Sequence, residues 1–387
     1  VSKTYNGDLT ALGTAVVNSG TLFTGDTLSG GTFAFTDKNV GAGSKTVTAA
    51  DVTINDGNGG SNYTVSYASN TASTINPYVV NLSGTRVYDG TVNILAGILG
   101  TNALVGTETL NVSGTGTVAS KNIGASKTLT LGSLALGNGD NGGLATNYTV
   151  TGGTHTASVT AAALTLSTSA VSKTYDGNLS ALGTAVVNSG TLFTGDTISG
   201  GTFAFTDKNV GAGNKTVTTA DVTVSDGNSG SNYTVSYASN TASTINPYVV
   251  NLSGSRVYDG TVNILAGILG TNALVGTETL SLTGTGTVVS KNVGTGKTLT
   301  LGSLALGNGD NGGLAANYTV TGGTHTAGIT AAALTLSTSA VSKTYNGDLT
   351  ALGTAVVNSG TLFTGDTLSG GTFAFTDKNV GAGSKTV

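Results

Sequence analysis

Cysteine, methionine, tryptophan and glutamine are absent from the 387 residues, and only two prolines and two histidines occur. The lack of cysteine removes disulfides, thiol nucleophiles and thiolate metal sites together. It suits a surface protein that crosses a membrane unfolded and must not form wrong bridges, and a cytosolic protein nearly as well. Charge is scarce too. Only 9% of residues carry it, and the net −4 is spread along the chain. No basic face exists to hold a phosphate backbone, so nucleic acid is not an expected partner. No apolar run reaches the roughly 18 residues of a membrane helix, so this segment is not expected to insert directly in a membrane. The opening VSKTYNG has neither the basic nor the apolar region of a secretory signal. Disorder is not expected either, because disordered chains are rich in charge and poor in β-branched residues.

What is present is repetition. Residues 341–387 copy residues 1–47 letter for letter, and 171–340 match 1–170 except at 20 positions. Each 170-residue unit contains an older duplication into two types of module. Type A carries KTYDG (173–177), DKNVGAGNKTVT (207–218) and SNYTV (231–235); type B carries RVYDG (86–90), SKNIGASKTLT (120–130) and TNYTV (146–150). All nine Phe lie in type A and both His in type B. The array divides into residues 1–76 (A, lacking its first segment), 77–160 (B), 161–246 (A), 247–330 (B) and 331–387 (A, truncated). The sequence opens and closes inside modules, so the expectation is a stretch of a longer array whose unfinished modules need strands from elsewhere.

The rhythm is that of strands. Tyr233, Val235 and Tyr237 alternate with polar residues, as do Phe203 and Phe205, Val222 and Val224, and Leu129 and Leu131. Gly- and Asn-rich breaks separate these runs as loops or hairpins. No three-four helical stripe stands out, although residues 10–20 could hold one turn. The expected fold is all-β: a tandem array of two alternating modules of about 85 residues, Ig-like sandwich or β-grasp-like, each burying one small core. Pro77 and Pro247 mark the A-to-B junctions, where they fix φ and remove a donor. The junctions are short, which favours a stiff, elongated rod, very roughly 150 Å long for four and a half such beads.

The recurring Tyr-Asp/Asn-Gly segment raises the question of an active site, a ligand grip or a turn. It occurs at Tyr5, Tyr88-Asp89-Gly90, Tyr175-Asp176-Gly177, Tyr258-Asp259-Gly260 and Tyr345, at intervals of 83 or 87 residues. Asp-Gly and Asn-Gly favour tight turns with positive φ, and a tyrosine can plug a small core while its hydroxyl reaches a partner at the rim. YNGDL at 5–9 becomes YDGNL at 175–179, so the acid changes sides of the glycine. A turn tolerates that; a catalytic carboxylate does not. The reading is a structural turn and plug.

Other chemistry is weaker. Asp56 and Asn58, and Asp140 and Asn141, sit in Gly-rich loops that loosely resemble calcium loops but lack their ligand spacing. His155 and His325 are too sparse for a metal cluster or a triad, and the two glutamates, Glu108 and Glu278, stand 170 apart. Lys208, Lys215 and Asn232 are candidates for an autocatalytic side-chain bond, and Asn62 and Asn147 head Asn-x-Thr triplets. No catalytic residue, cofactor or metal is expected.

The landmark segments, in their fixed order, resemble the YDG-type repeats, with their MBG-type relatives, of very large bacterial surface adhesins, many with filamentous-haemagglutinin-like heads. Asn6 and Asn346 depart from the motif's Asp, and RVYDG from its Lys. The resemblance implies a non-enzymatic stalk or spacer on a bacterial cell surface, contacting its own neighbouring modules, with lateral self-association into fibres as a further expectation. The alternative is a multivalent, low-affinity array for carbohydrate or another surface, which an exposed row of Tyr or Thr would favour.

Overall fold

The computed structural model describes residues 1–387. The chain is all β, with no α-helix and four single-turn 3-10 helices at Ala96–Ile98, Ala145–Asn147, Ala266–Ile268 and Ala315–Asn317. The turn that residues 10–20 could hold does not form. Residues 11–18 are irregular, and the copy of this stretch contains a strand, Ala185–Gly190, in keeping with the strand preference of paired valines.

In residues 1–76 four strands form one sheet, in the order Ser2–Thr4, Asn70–Asn76, Gly41–Asn55, Thr27–Phe35. In residues 77–160 six strands do so, in the order Asn93–Leu95, Thr115–Val118, Gly124–Thr130, Thr156–Thr160, Leu82–Val87, Leu99–Thr101. Cross-strand pairs such as Val118 and Leu129 put alternate residues on the core face.

One pairing sets up everything that follows. An early strand and the last strand of each module are parallel neighbours: Ser2–Thr4 with Thr74–Asn76, Ser83–Val87 with Thr156–Thr160, Ser172–Thr174 with Thr244–Asn246, and Ser253–Val257 with Thr326–Thr330. Parallel strands need a long crossover; here most of the module supplies it. The YDG segment directly follows the early strand and is therefore carried to the module's exit. The amides of Tyr5, Tyr88, Tyr175 and Tyr258 donate to the carbonyls of Asn76, Thr160, Asn246 and Thr330, at 2.8–2.9 Å.

On entering the next module the chain runs beside that module's Asn-Tyr segment. Tyr78–Val79 pairs in parallel with Tyr148–Thr149, and Ala162–Leu166 with Tyr233–Tyr237. Pro77 sits between Asn76, which ends one strand, and Tyr78, which begins the next. Exit turn and entry segment thus meet.

The chain forms two compact units: Val1–Ser167 with Ala185–Gly201 and Asp221–Ala238, and Thr168–Thr184 with Thr202–Ala220 and Ser239–Val387. The division falls inside the second type A module. In the first unit, one core joins Tyr5, Phe35, Val47 and Ile75 to Val80, Leu82, Ile94, Leu129 and Tyr148. A second core joins Tyr88 and Val159 to Leu164, Leu166, Val222, Val224 and Tyr233. In the other unit, Tyr175, Phe205, Val217 and Ile245 share a core with Val250, Leu252, Ile264 and Tyr318. Each core therefore spans a junction and is not the private property of one module. A module of this size leaves an apolar end, and the next module covers it. Each large side chain uncovered on opening a junction costs roughly 1.5–3 kcal/mol.

Candidate functional site

Four of the five YDG-segment tyrosines, Tyr5, Tyr88, Tyr175 and Tyr258, insert across the junctions, whereas Tyr345 is exposed. Tyr5 donates from its hydroxyl to Glu108 Oε1 at 2.6 Å, and Tyr148 donates to the other oxygen of the same carboxylate at 2.7 Å. The next junction has the same plan with an aspartate. Tyr88 and Tyr233 both donate to Asp196 Oδ2, at 2.9 and 2.7 Å, and Lys121 Nζ holds Oδ1 at 2.9 Å. Then Tyr175 and Tyr318 clasp Glu278, at 2.6 and 2.7 Å, with Lys208 at 3.8 Å. At the last junction Tyr258 and Lys291 hold Asp366. The acid always belongs to the module after the YDG tyrosine.

The rings interlock as well. Tyr5–Tyr148, Tyr88–Tyr233 and Tyr175–Tyr318 meet edge to face at 5.4–5.6 Å. The amides of Val105, Phe193 and Val275 donate to the hydroxyls of Tyr148, Tyr233 and Tyr318. Each of these phenols thus accepts one hydrogen bond while donating another to the carboxylate.

A second polar contact stitches the same joint. Asn147 Oδ1 accepts from the Val40 amide while its Nδ2 donates to Asn39 Oδ1, both at 2.9 Å. Asn232 repeats this with Ile123 and Asn122, and Asn317 with Val210 and Asn209. These asparagines are at most 1% exposed. Their bidentate fit explains why Lys-Asn-Val/Ile and Asn-Tyr recur as landmarks: they are two sides of one clasp. It also leaves no room for a glycan on Asn147.

The YDG glycines serve the joint twice. Gly90 has φ +78, and a Cβ there would lie 2.9 Å from Phe193 Cβ in the next module; at Gly7, φ +82, it would lie 2.8 Å from Val105. The neighbouring acid stays local. Asp89 takes the Thr91 amide and hydroxyl, both at 2.9 Å, and pairs with Arg86. Asp176 pairs with Lys173 and takes the Asn178 amide, and Asp259 pairs with Arg256 and takes Thr261. In the first module Lys3 reaches Asn6 and Asp8 together, at 2.8 and 2.9 Å. A lysine spanning both positions makes the side of the glycine that holds the acid immaterial.

Burial pushes the phenols of Tyr5 and Tyr175 up to about 12, helped by the facing glutamate; it raises Tyr148, Tyr233 and Tyr318 as well. Asp196 is a balance. Burial pushes its carboxyl up, and hydrogen bonds from Lys121, Tyr233 and Tyr88 outweigh burial and hold it below the usual range. Lys121 is raised by the same two partners, Tyr88 and Asp196. The Asp196 side chain is 1% exposed. A buried charge held by three donors is a satisfied structural group, with no face open to a substrate.

The remaining candidates lie elsewhere. Asp56 caps its own loop, accepting from the amides of Asn58, Gly60 and Asn62, and the Gly60 bond leads in holding it below the usual carboxylate range. Asp140 contributes backbone bonds to Thr109 and Gly143, and Asn141, at φ +54, donates to the Thr107 carbonyl. His155 is a core pin. Its Nδ1 accepts from the Leu82 amide at 3.1 Å, which leaves Nε2 to donate to the Val150 carbonyl at 2.8 Å; His325 repeats the arrangement. Lys215 pairs with Asp207, Lys208 faces Glu278, and Asn232 is committed to Asn122 and Ile123.

Sequence reasoning missed the clasp role of the acids, Glu108, Asp196, Glu278 and Asp366, and of the buried asparagines Asn147, Asn232 and Asn317. The acids stand 103 or 108 residues after their tyrosines. The available signal was the matched placement of Val-Gly-Thr-Glu in type B (105–108) and Phe-Thr-Gly-Asp in type A (193–196).

The chain belongs to the YDG domain family, whose model matches residues 1–72, 71–157, 160–242 and 241–327. Among curated proteins none matches it.

Proposed function

We propose that this chain is a structural spacer: a run of a repetitive bacterial surface adhesin or extracellular fibre that holds a functional tip away from the cell. One observation carries the reading. The recurring tyrosines and acids, the most chemically capable groups present, are spent on one another inside the junctions. Modules clasped this way add length and resist bending, consistent with a stiff, elongated array stabilised by nearest-neighbour interfaces. The rival, a multivalent carbohydrate surface, calls for an exposed row of Tyr or Thr. The clasp tyrosines Tyr5, Tyr88, Tyr148, Tyr175, Tyr233 and Tyr318 are buried, and the exposed Tyr67 and Tyr237 have their hydroxyls engaged by the amides of Val52 and Val222. The non-enzymatic role follows the same logic.

The test is small-angle scattering of chains with increasing numbers of modules. A maximum dimension that rises linearly with module number, with a constant cross-section, supports the spacer. A compact particle, or saturable glycan binding that grows with module number, overturns it.

A further inference from the structure

Type A modules write the YDG turn in two ways. At 6–9 and 346–349 the letters are Asn-Gly-Asp-Leu, and at 176–179 they are Asp-Gly-Asn-Leu. Both keep one acid and one amide beside the same lysine, but the residue after the amide changes. Asn6 and Asn346 precede a glycine, whose nitrogen no side chain shields, whereas Asn178 precedes Leu179. Asn6 Oδ1 accepts from Lys3 Nζ at 2.8 Å and from the Asp8 amide at 3.4 Å, and Nδ2 donates to Asp8 Oδ2 at 3.0 Å. Lys343, Asn346 and Asp348 repeat these contacts at 3.0, 3.3 and 2.8 Å. The arrangement is local, since it is the same beside the buried Tyr5 and the exposed Tyr345. Gly7 and Gly347 have φ +82 and +85, and no backbone carbonyl takes their amides. By contrast, the amides of Gly139 and Gly309, which follow Asn138 and Asn308, are bound to the carbonyls of Gly143 and Gly313.

We propose that Asn6 and Asn346 are sites of self-modification, at which the side-chain amide is lost and an acid, Asp or its β-linked isomer, takes its place. The Gly7 nitrogen, giving its proton to water, bonds to Asn6 Cγ and closes a succinimide ring. The Cγ–Nδ2 bond breaks, and Nδ2 takes a proton from water and leaves as ammonia. Water then opens the ring at either carbonyl. No electrons change hands, and water is the only co-reactant. Negative charge builds on Oδ1 as the ring closes, where the Lys3 ammonium and the Asp8 N–H already point. Donors placed where charge develops lower such a barrier. The α-linked product reads Lys-Thr-Tyr-Asp-Gly, the letters of 173–177. With Asp8 retained, however, it sets two carboxylates against one lysine and gives up the Nδ2 bond to Asp8. The turn therefore loosens with age in the first and last type A modules, and the second is spared. The inference does not depend on what the array spaces.

The test is to hold the full chain in mildly alkaline buffer and map its peptides by mass spectrometry over time, scoring each asparagine for amide loss. Conversion of Asn6 and Asn346 is expected to outpace that of Asn138 and Asn308 by about tenfold or more, with Asn178 unchanged. Lys3→Gln should slow Asn6 several-fold and leave Asn346, in the same molecule, at its original rate; Lys343→Gln should do the reverse. Local unfolding in either variant frees the Asn-Gly pair and speeds the reaction, so slowing reports the ammonium itself. Conversion of Asn6 and Asn346 no faster than that of Asn138 and Asn308, or an unslowed Asn6 in Lys3→Gln, overturns the inference.

Discussion

Residues 1–47 and 341–387 have identical letters but different structures. In the first copy Ser2–Thr4, Thr27–Phe35 and a strand beginning at Gly41 are formed; in the last, only Thr350–Ala351, Ala355–Ser359 and Phe373–Ala374 are. Tyr5 is 1% exposed and clasps Glu108, whereas Tyr345 is 57% exposed. A Cβ on Gly7 would strike Val105, while one on Gly347 would meet nothing. The difference is the company. The first copy has strand Asn70–Asn76 and a following type B module, and the last copy has neither within these 387 residues. Conversely, the last copy has the segment preceding Val341, so its Ala355–Ser359 pairs with Thr335–Thr338, where residues 15–18 of the first copy stay irregular.

That contrast can be broken most sharply at the tyrosines. Tyr5→Ala should destabilise its unit by about 3–5 kcal/mol, as truncation of a buried aromatic does, while Tyr345→Ala should stay within about 0.5 kcal/mol. Urea unfolding measures both, and equal shifts would sink the clasp. Asp196→Ala strands Lys121 and two phenols in a buried site and should cost about 3–5 kcal/mol. Asp26→Ala, at the matching position of the first module, should cost much less, because in this structure its carboxylate takes one side-chain hydrogen bond, from Tyr63.

Glycines give the next effect. Gly7→Ala and Gly347→Ala share the penalty of a positive φ, about 1 kcal/mol. Gly7→Ala should carry about 1–3 kcal/mol more from overpacking against Val105. Similar melting shifts in the two variants would remove the joint from the explanation.

The pH dependence sharpens the same point. Tyr5 and Tyr175 have folded values pushed up to about 12, above their ordinary 10. A raised value favours the protonated, folded form, so this stabilisation is complete below pH 10 and lost as pH rises through about 12. Phenolate absorbance of the chain should therefore show a class of tyrosines that ionises together with unfolding. Smooth titration of all thirteen tyrosines near pH 10 would contradict it. The smallest effect is expected for the double exchange Asn6→Asp with Asp8→Asn. Lys3 reaches both positions, so unfolding should shift by less than about 0.5 kcal/mol.

Much of the fold was legible in the letters. Duplication at 170 residues is visible directly, strand rhythm follows from alternation, and Asn-Gly and Asp-Gly announce turns because positive φ is cheap there. The letters around Tyr88 and Tyr175 suggest a ring that enters a core, but they do not say which acid the hydroxyl meets. Local pattern could not connect Tyr88 with Asp196, since no periodicity spans 108 residues. Nor could it reveal that an early and the last strand of a module run parallel, the arrangement that carries the turn to the exit.

The sequence by itself determined the all-β character, the turn positions and the repeat order, because each is written in the residues or their near neighbours. Tertiary structure decided which acid each tyrosine meets, which core each module shares, and whether a given segment becomes a strand at all. The identical Tyr-Thr-Val-Ser-Tyr is a strand at 233–237 and irregular at 64–67. A strand needs a partner for its backbone amides and carbonyls, and that partner comes from a distant stretch of chain.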